Sequence, residues 1–83
     1  MENLEMFAGK DVMLSIMVIG EGIFNKLILD LNILHNNKNI VLSSTNKEEE
    51  LIINKNAIKF IKINTDDTVI LKTNKMEIGI WEI

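Results

Sequence analysis

The sequence predicts an all-β protein: a small, strongly bent antiparallel barrel with a short N-terminal helix and a C-terminal β-hairpin. Apolar and polar residues alternate along most of the chain, and short polar turns separate the alternating segments about every eight to twelve residues. Isoleucine, leucine and valine dominate an apolar content of 47%, and β-branched side chains favour strands. The 83 residues are expected to form one domain, residues 1–83, because a chain this short supports one core.

The helix is expected over residues 2–8, where Leu4 and Phe7 lie three residues apart on one face, and Gly9 is its expected cap. Seven strands are expected over residues 11–19, 23–34, 39–45, 51–54, 57–63, 68–73 and 76–83. The segment 23–34 is long for a strand and is expected to bend. Glycine and asparagine supply the turns, since both tolerate left-handed backbone. A single closed sheet would bury the strand edges most economically.

The first strand is apolar on both faces, with Val12, Leu14 and Ile16 on one side and Met13 and Met17 on the other. Such a strand is expected to be covered twice, by the core and by either the helix or a neighbouring subunit. Met13 and Met17 are therefore candidate contacts with an oligomer or a partner, and ordinary packing is the alternative. Trp81 fits either a core position or an interface anchor.

The composition limits the classes of function that this protein can have. The net charge is −3, and all nine basic residues are lysines. Without the bidentate fork of arginine, sequence-specific reading of nucleic acid is disfavoured. The absence of cysteine excludes disulfides and Cys-based zinc sites.

Residues 1–12 lack the basic start of a signal peptide, and the longest uncharged run, residues 12–20, is too short for a membrane helix, so a cytoplasmic location is expected.

No catalytic constellation stands out, and we expect a protein that is no enzyme and needs no cofactor or metal. The acidic pairs lie in predicted solvated loops, and Asp30, inside an apolar stretch, favours a structural role. The single histidine has no acid or nucleophile near it in sequence, and the hydroxyl residues lack the glycines of a nucleophile elbow. These rejected candidates are residues 48–50, 66–67, His35 and residues 43–45.

Residues 4–63 resemble the Sm-like family of small β-barrels. The run Gly-Lys-Asp-Val-Met-Leu at residues 9–14 is similar to the opening of many Sm proteins. Asp30 followed by Asn-Ile-Val-Leu at residues 39–42 resembles the first Sm signature. The run Ile-Asn-Lys-Asn-Ala-Ile at residues 53–58 is similar to a bacterial segment whose lysine and histidine line a uridine-binding pore. The hairpin over residues 68–83 lies outside the resemblance, and other SH3-like or small-barrel folds are the alternative.

The resemblance implies a homo-oligomeric ring that forms by edge-to-edge strand pairing and binds single-stranded RNA. Lys55 and Asn56 would face the pore, with Lys10 and Lys59 as weaker phosphate contacts. Asn56 stands where the family has its histidine.

A competing hypothesis belongs to another class: a small acidic protein-binding module, such as an inhibitor or adaptor of a phage or mobile element. An arginine-free domain with an exposed strand edge suits that role, and the acidic loop 48–50 could face a basic partner surface.

Overall fold

The computed structural model describes residues 2–83, with side chains from residue 4 onward. One helical turn is followed by eight strands. They are β1 (Val12–Val18), β2 (Gly22–Ile28), β3 (Leu31–His35), β4 (Asn39–Ser44), β5 (Glu50–Asn54), β6 (Ile58–Ile63), β7 (Val69–Thr73) and β8 (Met76–Glu82). The all-β class predicted from the alternating pattern is confirmed.

The strands pair antiparallel in two sheets. The larger has five strands in the order β2-β1-β8-β7-β6, and the smaller has three in the order β3-β4-β5. The described residues therefore do not form the single closed sheet expected from the sequence. The physical reason lies at two corners, between β2 and β3 and between β5 and β6, where the backbone leaves extended geometry and strand pairing is interrupted.

The first corner divides the predicted long strand 23–34 at Asp30. This residue has a positive φ of 51°, a left-handed conformation that aspartate tolerates better than most side chains. Its N–H donates to Asp11 Oδ1 at 2.9 Å, and its carbonyl accepts from Thr45 Oγ1 at 2.7 Å. Leu31 N–H donates to Lys10 O at 2.9 Å. The expected structural role of Asp30 thus resides in its backbone, and its exposed side chain is not the buried carboxylate that its apolar neighbours suggested.

The second corner is a 3-10 turn, Lys55–Ala57, at the break expected between two strands. Asn54 caps this turn, because its side-chain oxygen accepts from Asn56 N–H at 2.9 Å. Lys55 N–H donates to Lys38 O at 2.8 Å, which ties the corner to the β3–β4 turn.

The C-terminal hairpin, β7 and β8, is an integral part of the larger sheet. β8 pairs with β1 along its whole length, with Met13 opposite Trp81 and Ile16 opposite Ile78. Because β8 lies between β1 and β7, removing the hairpin would split the five-stranded sheet.

The predicted helix over residues 2–8 is reduced to a single helical turn, α1 (Glu2–Glu5). Beyond it, Phe7 N–H donates to Leu4 O and Ala8 N–H to Glu5 O, so the chain forms 3-10-type turns in place of a second α-helical turn. The three-residue spacing of Leu4 and Phe7 still serves its expected purpose, since both side chains are buried in the core. Gly9 ends the segment with a φ of 77°.

The core lies between the two sheets and under the N-terminal segment. Its members are the inward-facing residues of the strands together with Leu4 and Phe7; the strand members are Val12, Leu14, Ile16, Ile28, Leu31, Ile40, Leu42, Ile53, Val69, Leu71, Ile78 and Ile80. Every buried side-chain polar atom of the described residues has a hydrogen-bond partner. No buried polar side chain among these residues therefore needs a ligand to complete its hydrogen bonds.

Candidate functional site

The side of the five-stranded sheet that faces away from the core carries several exposed apolar side chains. Successive side chains of a strand point to opposite faces, so the residues between the core positions of β1 all point outward. The strand registers place outward residues of four strands side by side. We call this set the outer face: Ile23, Asn25 and Leu27 of β2; Met13, Ser15 and Met17 of β1; Glu77, Gly79 and Trp81 of β8; and Ile70 and Lys72 of β7.

The outer face is strongly apolar although nothing in the described chain covers it. Ile23 is 67% exposed, Leu27 44%, Met17 40% and Trp81 37%. Met13 and Ile70 are half-buried between them. Single exposed apolar residues are ordinary on protein surfaces, whereas a contiguous group is a candidate interaction site. The outer face is such a group.

A depression of about 330 Å³ crosses the outer face. Ser15 and Gly79, which are opposite each other in register, lie in its middle. Met17 and Ile23, also register partners, border it on one side, and Trp81 borders it on the other. The outer face therefore has two apolar ridges with a shallow groove between them.

The predicted contact residues Met13, Met17 and Trp81 all lie on the outer face. Met13 and Trp81 are direct register partners of neighbouring strands. Trp81 is 37% exposed, so the alternative that placed it in the core is wrong. The expectation that the second face of the first strand is covered by the N-terminal helix is also wrong, because Leu4 and Phe7 pack into the core.

Sequence reasoning missed Ile23, Leu27, Ile70 and Gly79 as members of this surface. A signal was present in the alternation of residues 23–31, but a local pattern leaves open which of two apolar faces is inward. Only the register with β1, which puts Ile23 beside Met17 and Leu27 beside Met13, decides it.

The predicted RNA-binding residues are distributed over separate elements. Lys55 is half-buried and Asn56 exposed in the 3-10 turn at the second corner, beside Lys38. Lys59 is exposed at an irregularity in the pairing of β6 with β7. Lys10 forms an ion pair with Glu82, with 3.4 Å between Nζ and Oε1. The structure thus joins Lys55 and Asn56 in one turn and assigns Lys10 a carboxylate partner.

A second depression, of about 610 Å³, lies between the N-terminal segment, the β6–β7 loop and the end of β8. Asp66 and Asp67 line it together with Trp81, which also borders the groove of the outer face. The Thr68 N–H, which donates to Asp66 Oδ1 at 3.1 Å, and the Thr68 hydroxyl hold the pKa of Asp66 below its ordinary value. Asp66 is therefore a charged turn-forming carboxylate, and a carboxyl group with a lowered pKa is a poor general acid at neutral pH.

The remaining candidates for catalysis or metal binding either form structural hydrogen bonds or have no reactive partner among the described residues. Ser44 Oγ donates to Asn46 Oδ1 at 2.7 Å and accepts from Glu49 N–H at 3.1 Å, which orders the β4–β5 loop. His35 is exposed at the end of β3. Within residues 2–83, no three acidic or histidine side chains are placed to hold a metal ion.

Comparison of the chain with protein-family models, with curated proteins and with solved structures finds no match. The described part of the chain contains no helix with the length and apolar character needed to cross a membrane.

Proposed function

We propose that this protein is a small protein-binding module whose interface is the outer face. The observation that supports this proposal is the contiguous, uncovered apolar surface formed by Met17, Ile23, Leu27 and Trp81. Such side chains are typical of protein interfaces, because methionine and tryptophan are enriched in interface cores.

The energetics favour a role in association. Covering apolar surface contributes roughly 25 cal/mol per Å² before the costs of association are subtracted. A monomer keeps such a surface at the risk of aggregation. The core does not include these side chains; on β1 and β8 it is formed by the opposite face, where Val12, Leu14 and Ile78 have 0% exposure.

Site-specific photo-crosslinking in the cell that makes the protein tests this proposal. A benzophenone amino acid replaces Ile23 on the outer face or, as the control, Ile52, which is 54% exposed on β5 of the smaller sheet. Both positions are exposed isoleucines in strands. We expect protein adducts from position 23 and few from position 52. Equal yields at the two positions, or no protein adduct from position 23, would refute the proposal.

A second candidate function is that of an RNA-associated, Sm-like small barrel. Two observations favour it. β2 leads into β3 and β5 into β6 through sharp corners, as bent strands do in small barrels. At the second corner, the backbone hydrogen bond from Lys55 to Lys38 brings together two lysines of neighbouring turns, next to the exposed Asn56. On this proposal, phosphate and base would be contacted at this corner.

Titration with a fluorescent oligouridine at low salt tests the second candidate. We expect affinity to fall steeply as salt rises, because phosphate contacts release counterions. Lys55→Ala should weaken binding, whereas Lys62→Ala, at an exposed lysine in β6, should not. No binding at low salt, or equal effects of the two substitutions, contradicts this candidate.

A further inference from the structure

Gly79 is a mid-strand glycine that the fold of one chain does not require. It pairs regularly with Ser15 on one side and with Ile70 on the other, so it marks no bulge. A Cβ added at this position would have only the Trp81 side chain nearby, at 3.8 Å, which is ordinary van der Waals contact. Glycine weakens a strand relative to alanine, and inside a regular strand it often marks a close approach by a ligand or another backbone. The outer face is the side from which that approach would come.

The relief of the outer face contains both a groove and a ridge, the two shapes that a self-complementary surface needs. The groove in the middle, about 330 Å³, is lined by the small residues Ser15 and Gly79. A depression of this size is filled by water in the free molecule. The Met17–Ile23 ridge of a second molecule offers flexible and branched apolar side chains that can replace this water.

The charges of the outer face suit an identical partner. Glu77, which lines the groove beside Met17, and Lys72 are register neighbours, so one acidic and one basic group lie side by side on the outer face. This pair of opposite charges offers no net charge of one sign to a strongly acidic or basic partner, and a second copy that carries the same pair meets no net repulsion.

The size of the outer face also fits a symmetric, weak dimer. Four strands about 4.8 Å apart and seven residues of about 3.3 Å each give a surface of roughly 19 by 23 Å. This is smaller than the approximately 800 Å² per partner of a standard interface, so the expected dissociation constant is in the micromolar range.

We infer that the outer face binds the outer face of a second copy of this chain, forming a two-fold symmetric dimer. The inference rests on the proposed function and names the partner. The two five-stranded sheets pack face to face about 10 Å apart, with strand directions within about 30° of each other. The Met17–Ile23 ridge of each copy enters the groove of the other, over Gly79.

Sedimentation equilibrium from about 1 μM to 500 μM provides the first test. We expect the wild-type chain to pass from monomer to dimer with a dissociation constant of about 10 μM. Ile23→Lys should weaken the dimer at least about tenfold, because each interface would bury two new charges. Ile52→Lys, the matched substitution on the other sheet, should leave the dimer unchanged. A wild-type monomer at 500 μM, or an equal effect of the two substitutions, would overturn the inference.

Gly79→Ala provides a second test with opposite effects on monomer and dimer. At about 1 μM, where the monomer dominates, the added methyl group should raise Tm by about 3 °C, since alanine reduces the conformational freedom of the unfolded chain. In sedimentation the same methyl group should weaken the dimer about tenfold by overfilling the groove. A raised Tm also shows that the variant folds. A raised Tm with undiminished dimerisation would overturn the inference.

Failure of the dimer can be distinguished from failure of the proposed function. A monomeric chain that still gives heterologous protein adducts from position 23 refutes the second copy as partner and leaves the outer face a protein interface. A monomeric chain without adducts from position 23 refutes both. Homodimeric adducts from position 23 support both, provided that homodimeric adducts from a benzophenone amino acid at position 27 are lost when Ile23→Lys is added to that chain.

Discussion

Removal of the Asp11 carboxylate should loosen the corner at which the chain passes from the larger sheet to the smaller one. Asp11 Oδ1 accepts a hydrogen bond from the Asp30 N–H at 2.9 Å. This bond holds Asp30 at a φ of 51°, a left-handed backbone conformation that costs free energy for residues other than glycine. Without the acceptor, Asp11→Ala leaves the N–H to water and removes one constraint on the left-handed conformation.

The magnitude follows from the kind of bond and its exposure. A hydrogen bond to a charged group contributes about 1.5–3 kcal/mol. Because Asp11 and Asp30 are both exposed, water competes for both groups, and we expect about 1 kcal/mol. For a domain of this size that corresponds to a decrease in Tm of roughly 4–8 °C. Asp11→Asn retains a neutral acceptor oxygen in the same place and should lose about half as much.

Two measurements check this prediction. Thermal unfolding followed by far-ultraviolet circular dichroism gives the Tm of the wild-type chain and of both variants. Hydrogen exchange by NMR gives the local effect, which should be an acceleration at the Asp30 amide that Asp11→Asn largely restores. If Asp11→Ala leaves both the Tm and the exchange of that amide unchanged, the carboxylate does not hold the corner. If Asp11→Asn is as damaging as Asp11→Ala, the hydrogen-bond explanation is wrong.

Three further predictions concern the core, the first corner and the acidic turn. Leu14→Ala, at a side chain with 0% exposure, should lower the free energy of unfolding by about 3 kcal/mol in urea denaturation, and Leu27→Ala on the outer face by less than about 1 kcal/mol. Asp30→Val should lower Tm clearly more than Asp30→Gly, because a β-branched residue resists positive φ. In an NMR titration the carboxyl of Asp66 should titrate below its ordinary pKa, and Thr68→Val should raise that pKa. Since the folded-state pKa is lowered, Asp66 stabilises the fold above its ordinary pKa and loses that effect as the pH falls through the lowered value.

The strands could be predicted from the sequence because alternation is a local property. The segment expected over residues 11–19 is β1, Val12–Val18, and the segment over residues 39–45 is β4, Asn39–Ser44. The division at Asp30 also had a local basis, since aspartate accepts left-handed backbone. The number of sheets could not be predicted from the local pattern. It depends on how two corners are held, and those bonds join Asp30 to Asp11 and to Thr45, residues distant in sequence.

The candidate site was predictable to the extent that it depends on one strand. The doubly apolar pattern of β1 indicated that Met13 and Met17 face a second surface, and the structure places them away from the core. The surface that they form with Trp81 depends on the pairing of β8 with β1, a contact across more than sixty residues of sequence. Alternation within either strand carries no information about that partner.

The surroundings of the candidate lysines could not be predicted from the sequence. Four of them were candidates for RNA contacts because of their place in a resemblance, and lysine side chains are compatible with many surroundings. The structure gives Lys10 a carboxylate partner in Glu82, a pairing that the sequence spacing could not indicate. Only Lys55 and Asn56 share one turn, because a 3-10 turn contains both.

The edges of the five-stranded sheet strengthen the argument for association through its face. An open edge strand would be the usual place for a second chain to add. On the β2 edge, Lys26 Nζ lies 3.1 Å from Glu49 Oε2 and 3.4 Å from Glu50 O, so the β4–β5 loop is held against that strand. On the β6 edge, the pairing is irregular between Ile58 and Phe60. A charged residue with a covering loop and an irregular edge both discourage strand addition. Since both edges of the five-stranded sheet carry such features, the proposed association of this sheet is favoured through its outer face rather than through its edges.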